Sequence, residues 1–269
     1  MSLRIQNNVE AFNAQRQVSA TAEKVSKAME RLSSGYRINR GAEDAAGLAI
    51  SEKLRGQISG LTQANRNSSD AISLVQTAEG ALNEVHSMLQ RVRELAVQFK
   101  NGTLSGTNQQ AIQSEINQLA SEVDRIGSSA QFNGISLLDG TAGGSGAVTF
   151  QVGANDSDTL SISFPSLSSK VGTAWVNLQT ATLSDIDSAI DAVTDVRSGF
   201  GATQNRLEHA LSVTAVYQEN LTSAESRIRD VDMAEEMVSL TKNQILSQAG
   251  TAMLSQANQS PQSVLRLLG

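Results

Sequence analysis

Between Ala71 and Phe99 the apolar residues Ala71, Val75, Ala78, Leu82, Val85, Leu89, Val92, Ala96 and Phe99 follow one another at steps of four and three, in strict alternation. A mean step of 3.5 residues is the seam of a left-handed coiled coil. A single amphipathic helix on a globule would carry a wider stripe drifting at 3.6. No Pro interrupts the run, and Gly80 is its only Gly. Such a seam is half of an interface, so the rest of the chain must supply partner helices of similar length.

It does so at both ends. Ile5, Val9 and Phe12 open a helical stripe that resumes, after a phase slip, as Val18, Ala22, Val25, Met29 and Leu32. Ser33-Ser34-Gly35 reads as a helix end with Gly35 in the left-handed position that closes helices. Tyr36–Glu43 is a polar connector, and the next helix is expected to start near Asp44, where a carboxylate suits the positive end of the dipole. Ile50, Leu54, Ile58 and Leu61 give it an apolar face, interrupted by Gln57, Ser68 and Ser69 before the strict seam. Continued to Phe99 it would be about 84 Å long at 1.5 Å per residue. Asn101-Gly102 ends it. Thr107 with Gln110 fits a capping box, opening an antiparallel helix on Ile112, Ile116, Leu119, Val123 and Ile126.

After Gly127 the period changes. Gly134, Asp139-Gly140 and Gly143-Gly144-Ser145-Gly146 are turn chemistry. Val148, Phe150 and Val152 alternate with polar residues, as do Leu160, Ile162 and Phe164, which predicts a β-hairpin at about 147–165 stopped by Pro165. Residues 166–183 read as irregular. Ser184 with Asp187 resembles a second capping box. It opens the longest seam: Ile186, Ala189, Val193, Val196, Phe200, Thr203, Leu207, Ala210, Thr214, Tyr217, Leu221, Ala224, Ile228 and Val231. Helix is expected to continue through Met233, Met237, Leu240, Ile245 and Ala249 with a broader face. The expected fold is mainly α, with long antiparallel coiled-coil helices at both ends of the chain and a small β-hairpin region in the middle.

Composition narrows the function classes. The 269 residues include no Cys, 2 Pro, 1 Trp, 2 Tyr and 6 Phe, so disulfides and thiolate metal sites are excluded. The net charge is -6, with acids and bases interspersed. That disfavours nucleic acid, which needs clustered Lys and Arg. No apolar run approaches the ~18 residues of a membrane span. The start, Met1-Ser2-Leu3-Arg4-Ile5-Gln6, lacks a signal-peptide core; the expectation is a cytosolic protein or one exported without a cleaved signal.

The two ends pose a physical problem. Val264, Leu265, Leu267 and Leu268 stand where soluble chains are usually polar and frayed. Burying such side chains is worth about 1.5–3 kcal/mol each, and a two-helix pair hides one stripe per helix. The ends therefore want neighbours from other copies, and head-to-tail contacts that need not close build helical filaments.

Three stretches carry a family resemblance. Asn39-Arg40-Gly41-Ala42-Glu43-Asp44-Ala45-Ala46-Gly47-Leu48-Ala49-Ile50 resembles the N-terminal signature of bacterial flagellins, with Glu43 where Asp is commoner. Gln90-Arg91-Val92-Arg93-Glu94-Leu95-Ala96-Val97-Gln98 is similar to their second signature, and Ser226-Arg227-Ile228-Arg229-Asp230-Val231-Asp232-Met233-Ala234-Glu235 to the C-terminal one. The likeness covers about 1–165 and 184–269, without the large middle domains many flagellins carry. It implies an inner coiled-coil domain from 1–43 with 230–269, lining an axial channel. It also implies an outer helical rod from 44–229 bearing the hairpin. It implies export, unfolded, through the flagellar type III apparatus and growth of an extracellular filament of identical copies. An export chaperone, a cap protein and hook–filament junction proteins would be partners. Neither enzymatic activity nor a cofactor is expected. Arg91, Leu95 and Glu115 match positions by which flagellins engage a vertebrate Toll-like receptor; the same residues would serve as contacts between subunits. Ile5, Val9 and Phe12 with the four C-terminal residues would form the filament core.

Weaker signals have plainer explanations. His86 and His209 lie beside seam positions without partner ligands of metal-binding spacing. Gly143–Ala147 misses the last Gly of a nucleophile elbow, and Asn155–Asp158 lacks the Gly and distal Glu of a calcium loop. Arg227, Arg229, Asp230 and Asp232 would form i,i+3 charge pairs on one helix.

Overall fold

A computed structural model describes the backbone of residues 8–268 and the side chains of residues 8–259. Ile5 and the side chains of Val264, Leu265, Leu267 and Leu268 lie outside the described residues. The elements are α1 (Val9–Ser34), α2 (Ala45–Phe99), α3 (Gly106–Ser129), β1 (Gln131–Phe132), β2 (Ile135–Ser136), β3 (Ala147–Gln151), β4 (Thr159–Ser163), α4 (Leu167–Val171), α5 (Leu183–Arg229) and α6 (Met233–Leu268). The chain is mainly helical, with two small antiparallel hairpins in the middle. It divides into two compact units, one containing residues up to Gly56 and from Leu221, the other Gln57–Asn220. The divisions fall inside α2 and α5.

In the first unit α1 and α6 pack against each other. They run antiparallel: Asn8 Nδ2 donates to the Ala257 carbonyl at 2.7 Å, and at the other end Arg31 Nη1 lies 3.7 Å from Glu236 Oε2. Asn8 also caps α1, its Oδ1 accepting from Ala11 N at 3.0 Å. Gly35 closes α1 at φ 76°, its N–H donating to Arg31 O, as its position in the sequence requires. Asp44 caps α2 by accepting from Gly47 N at 2.7 Å.

The long C-terminal helix breaks where the seam predicted continuity. α5 ends at Arg229 and α6 begins at Met233. The backbone between them pairs with the α1–α2 connector instead: Arg37 N donates to Arg229 O at 2.7 Å and Val231 N to Gly35 O at 3.0 Å, with Tyr36 bridged to Asp230. Asp232 then restarts the helix, its Oδ1 accepting from Ala234 N at 2.9 Å. The expected i,i+3 charge pairs therefore do not form; Arg229 reaches Glu52 at 2.6 Å and lies 4.7 Å over the Tyr36 ring.

In the second unit α2, α3 and α5 share one core. Val75, Ala78, Leu82, Val85, Leu89, Val92 and Ala96 of the strict seam are buried with Ile112, Ile116 and Val123 of α3 and Ile186, Ala189, Val193, Phe200 and Leu207 of α5. Leu137, Leu138, Ile162 and Phe164 close one side, the Phe164 and Phe200 rings 5.3 Å apart. The predicted hairpin is present, with Val148 opposite Ile162 and Phe150 opposite Leu160. A second hairpin, β1–β2, turns on Asn133-Gly134 at φ 49° and 78°, the pair of positive φ values a tight hairpin needs.

Residues 166–183 are not simply irregular. They hold α4, and Leu167, Val171, Trp175 and Leu178 are buried among the same core. Gln113 of α3 fastens this segment by donating to Val176 O at 2.7 Å and accepting from Leu178 N at 3.0 Å. Both helix starts lie two residues before the expected boxes. Ser105, not Thr107, caps α3. Thr182 and Asp185 form a reciprocal box at α5, Asp185 N donating to Thr182 Oγ1 and Thr182 N to Asp185 Oδ2.

Candidate functional site

The terminal helices bury little of their apolar surface. In α1 Thr21 and Ala28 are the buried residues, while Val9 is 58% and Phe12 67% exposed. On α6 Met237, Val238, Thr241, Lys242, Ile245 and Leu246 line a shallow depression. These residues recur at i, i+1, i+4 and i+5, so they form one face of the helix. Val238 is 70% and Ile245 61% exposed. Lys242 is the single charge among these six.

Arg91 and Glu115 meet on the surface of the second unit. Arg91 Nη2 is 3.1 Å from Glu115 Oε1 and its Nη1 3.1 Å from Glu94 Oε2. Hydrogen bonds donated to Glu94 first, then to Glu115, hold the Arg91 guanidinium above its ordinary range. Leu95 is different: it is 2% exposed and belongs to the core. The Leu95 side chain therefore does not offer a contact surface in this chain; it packs in the core of the second unit. Sequence spacing could have shown this, because Leu95 lies between the seam positions Val92 and Ala96.

The remaining signals resolve into local structure. His86 Nε2 and Gln90 Nε2 are 2.9 Å apart on the α2 surface. Gly143 and Gly144 belong to a 3-10 turn before β3. Asn155 N and Nδ2 both donate to Asp158 Oδ2, closing the β3–β4 loop. Among the described residues no helix is long and apolar enough to cross a membrane.

Long seamed helices whose terminal pair leaves its apolar faces open define a subunit of a helical assembly. Comparison with known proteins agrees. Residues 5–143 match the family described as the bacterial flagellin N-terminal helical region, and residues 183–268 its C-terminal helical region. A flagellin of Halalkalibacterium halodurans is 50% identical over 98% of this chain and 99% of its own. A flagellin of Bacillus subtilis is 46% identical over 99% of this chain and 100% of its own. The crystal structure of Bacillus cereus flagellin superposes with a TM-score of 0.50 at 34% identity, covering 55% of this chain and 88% of that one. A hook-associated protein of Vibrio parahaemolyticus shares the fold at a TM-score of 0.59 and 12% identity, over 70% of this chain and 100% of its own. The chain belongs to the flagellin family. It is a structural subunit of the flagellar filament.

Proposed function

We propose that the chain builds the filament's inner tube by packing α1 and α6 against the same helices of neighbouring copies, and that it has no enzymatic activity. The carrying observation is the exposure of Phe12, Val238 and Met253, each about two-thirds open. Burial of a single such side chain contributes roughly 1.5–3 kcal/mol, and a filament repeats the contact at every subunit. The subunit is exported unfolded through the flagellar type III apparatus, with a chaperone, a cap protein and hook–filament junction proteins as its partners. Arg91 and Glu115 make a lateral contact between copies. Through the same exposed pair the monomer is recognised by the vertebrate Toll-like receptor for flagellin, Leu95 holding the helices beneath.

Seeded polymerisation of purified protein tests this. Val238→Asp/Ile245→Asp leaves the monomer helical but lowers elongation at least about tenfold, a loss of ~1.4 kcal/mol or more per contact, and the protein stays in the supernatant on pelleting. Pelleting at the parent's rate would sink the proposal. Receptor activation by the monomer is expected to fall with Arg91→Ala; an unchanged response removes the receptor role.

A further inference from the structure

The seam of α2 against α5 changes chemistry along its length. Towards Phe99 it is apolar except for Thr203, whose hydroxyl bonds the Gly199 carbonyl of its own helix at 2.8 Å and so makes no bond across the seam. Near Leu61 it is crossed by side-chain amides and hydroxyls: Asn65 Nδ2 donates to Gln218 Oε1 at 3.1 Å, and Gln218 Nε2 donates to Thr62 Oγ1 at 3.2 Å. The Thr62 hydroxyl in turn donates to Ile58 O at 2.8 Å. One glutamine of α5 is thus held at both ends of its amide by two residues of α2. Beside it, consecutive carbonyls of the β3 edge bind both helices, Gln151 O accepting from Asn67 Nδ2 at 3.1 Å and Val152 O from Thr214 Oγ1 at 3.4 Å.

The apolar part of the seam cannot by itself choose a register. Displaced by seven residues it repeats: on α2 Ala71, Val75, Leu82 and Val85 become Ala78, Leu82, Leu89 and Val92, and on α5 Ile186, Val193 and Phe200 become Val193, Phe200 and Leu207. Apolar residues still meet apolar residues. Ion pairs such as Arg93–Asp187, 48% and 46% exposed, discriminate weakly between registers. At the far end of α5 a slide would also have to part the backbone bonds that tie Arg229 and Val231 to Arg37 and Gly35; along the seam itself the amides are the groups that distinguish one heptad from the next.

The polar group does not repeat. A one-heptad slide moves Gln218 from Thr62 and Asn65 to Arg55 and Ile58, or to Ser69 and Ile72, and sets Asn65 against Leu211 or Glu225. The slide towards Arg55 sets the half-buried Asn65 amide against Leu211, where it loses its partner; the slide towards Ser69 exchanges both amide pairs for contacts with the Ser69 hydroxyl and the Glu225 carboxylate, so neither native pair survives in either. A polar residue in a coiled-coil seam fixes register in this way, at some expense of stability.

We propose that Gln218, held between Thr62 and Asn65, sets the axial register of α5 on α2, and so determines which single subunit conformation is presented for assembly. The chain contains no Cys, so cysteines introduced at the exposed Thr77 and Val213 can carry the only two spin labels. The labelled parent gives one inter-label distance by pulsed electron spin resonance. In Asn65→Leu/Gln218→Leu helicity by circular dichroism is unchanged, and a second distance appears that corresponds to an axial slide of about 10 Å. Three results would each overturn the proposal. One is a single, parental distance in the double variant. Another is loss of its helicity, since the amides would then be needed for folding rather than for choice of register. The third is two distances in the parent.

Discussion

Gly250 of α6 lies so close to Val18 of α1 that a Cβ built on it would stand 2.8 Å from Val18 Cγ2. The glycine is what allows the terminal helices to approach here. Valine's branched side chain has one favoured rotamer on a helix and cannot turn aside. An alanine in a helix interior normally gains about 1 kcal/mol over glycine. At Gly250 that gain is outweighed by overpacking, which typically costs about 1–3 kcal/mol. Gly80 of α2 is the control, because nothing lies within 4 Å of its added Cβ. Gly80→Ala is expected to raise the urea midpoint of the second unit by the equivalent of about 1 kcal/mol. Gly250→Ala is expected to speed amide hydrogen exchange in α1 and α6. Equal stabilisation by both substitutions would contradict the close approach.

Glu43 gives the first unit an acid limit. Its Oε1 is 3.0 Å from Lys27 Nζ and 3.9 Å from Arg31 Nη2, and its Oε2 accepts from Asn39 N at 3.2 Å. The hydrogen bond from Lys27, then that from Asn39, hold the carboxyl below its ordinary 4.5, against the opposing effect of burial. A group whose folded value is depressed contributes stability that is complete above the unfolded value and is lost as pH falls through the folded one. Thermal melts between about pH 6 and about pH 3 should therefore show the parent losing stability below about 4.5 more steeply than Glu43→Gln. The two curves converge at the acid end. Parallel curves would mean that Glu43 is not held ionised by these partners.

The helices were legible because their signal repeats. Every seam residue from Ala71 to Ala96 is buried as the alternation required, and Gly35 closes α1 where the sequence placed it. Single-residue decisions were less legible. Nothing in the spacing of Ile228 and Val231 revealed that the backbone at 230–231 would bond to Gly35 and Arg37, because that pairing joins residues almost two hundred positions apart. Ser68 read as a gap in the apolar face, yet it is 1% exposed; its hydroxyl is satisfied by Ala64 O of its own helix at 2.9 Å, so a serine can fill a seam position. Trp175 was missed because the segment around it has no period, and the bonds that fasten its neighbours Val176 and Leu178 come from Gln113 of a different helix. At the site, Arg91, Leu95 and Glu115 were named together by the family resemblance, and only the packed core separates the exposed pair from the buried Leu95.

The start of α5 offers the cleanest contest between two readings of one sequence. Thr182-Leu183-Ser184-Asp185 and Ser184-Asp185-Ile186-Asp187 both fit a hydroxyl followed three residues later by a carboxylate. In the structure the first is the cap: Thr182 Oγ1 accepts from Asp185 N at 3.2 Å and also donates to Asp185 Oδ2 at 2.8 Å. These contacts keep the Asp185 carboxyl below its ordinary range, the backbone N–H of Thr182 being the largest cause. Ser184 is the second residue of the helix, and its carbonyl accepts from the Ser188 hydroxyl at 2.7 Å. Its own hydroxyl is not the cap. Thr182→Ala is expected to destabilise the second unit by about 1 kcal/mol, the usual cost of a lost cap. Ser184→Ala should be close to neutral, because its hydroxyl is not the group that caps the helix. Urea unfolding followed by Trp175 fluorescence reports on this unit directly, since that side chain is buried in its core. A larger loss at Ser184 than at Thr182 would place the helix start two residues later and return the cap to Ser184.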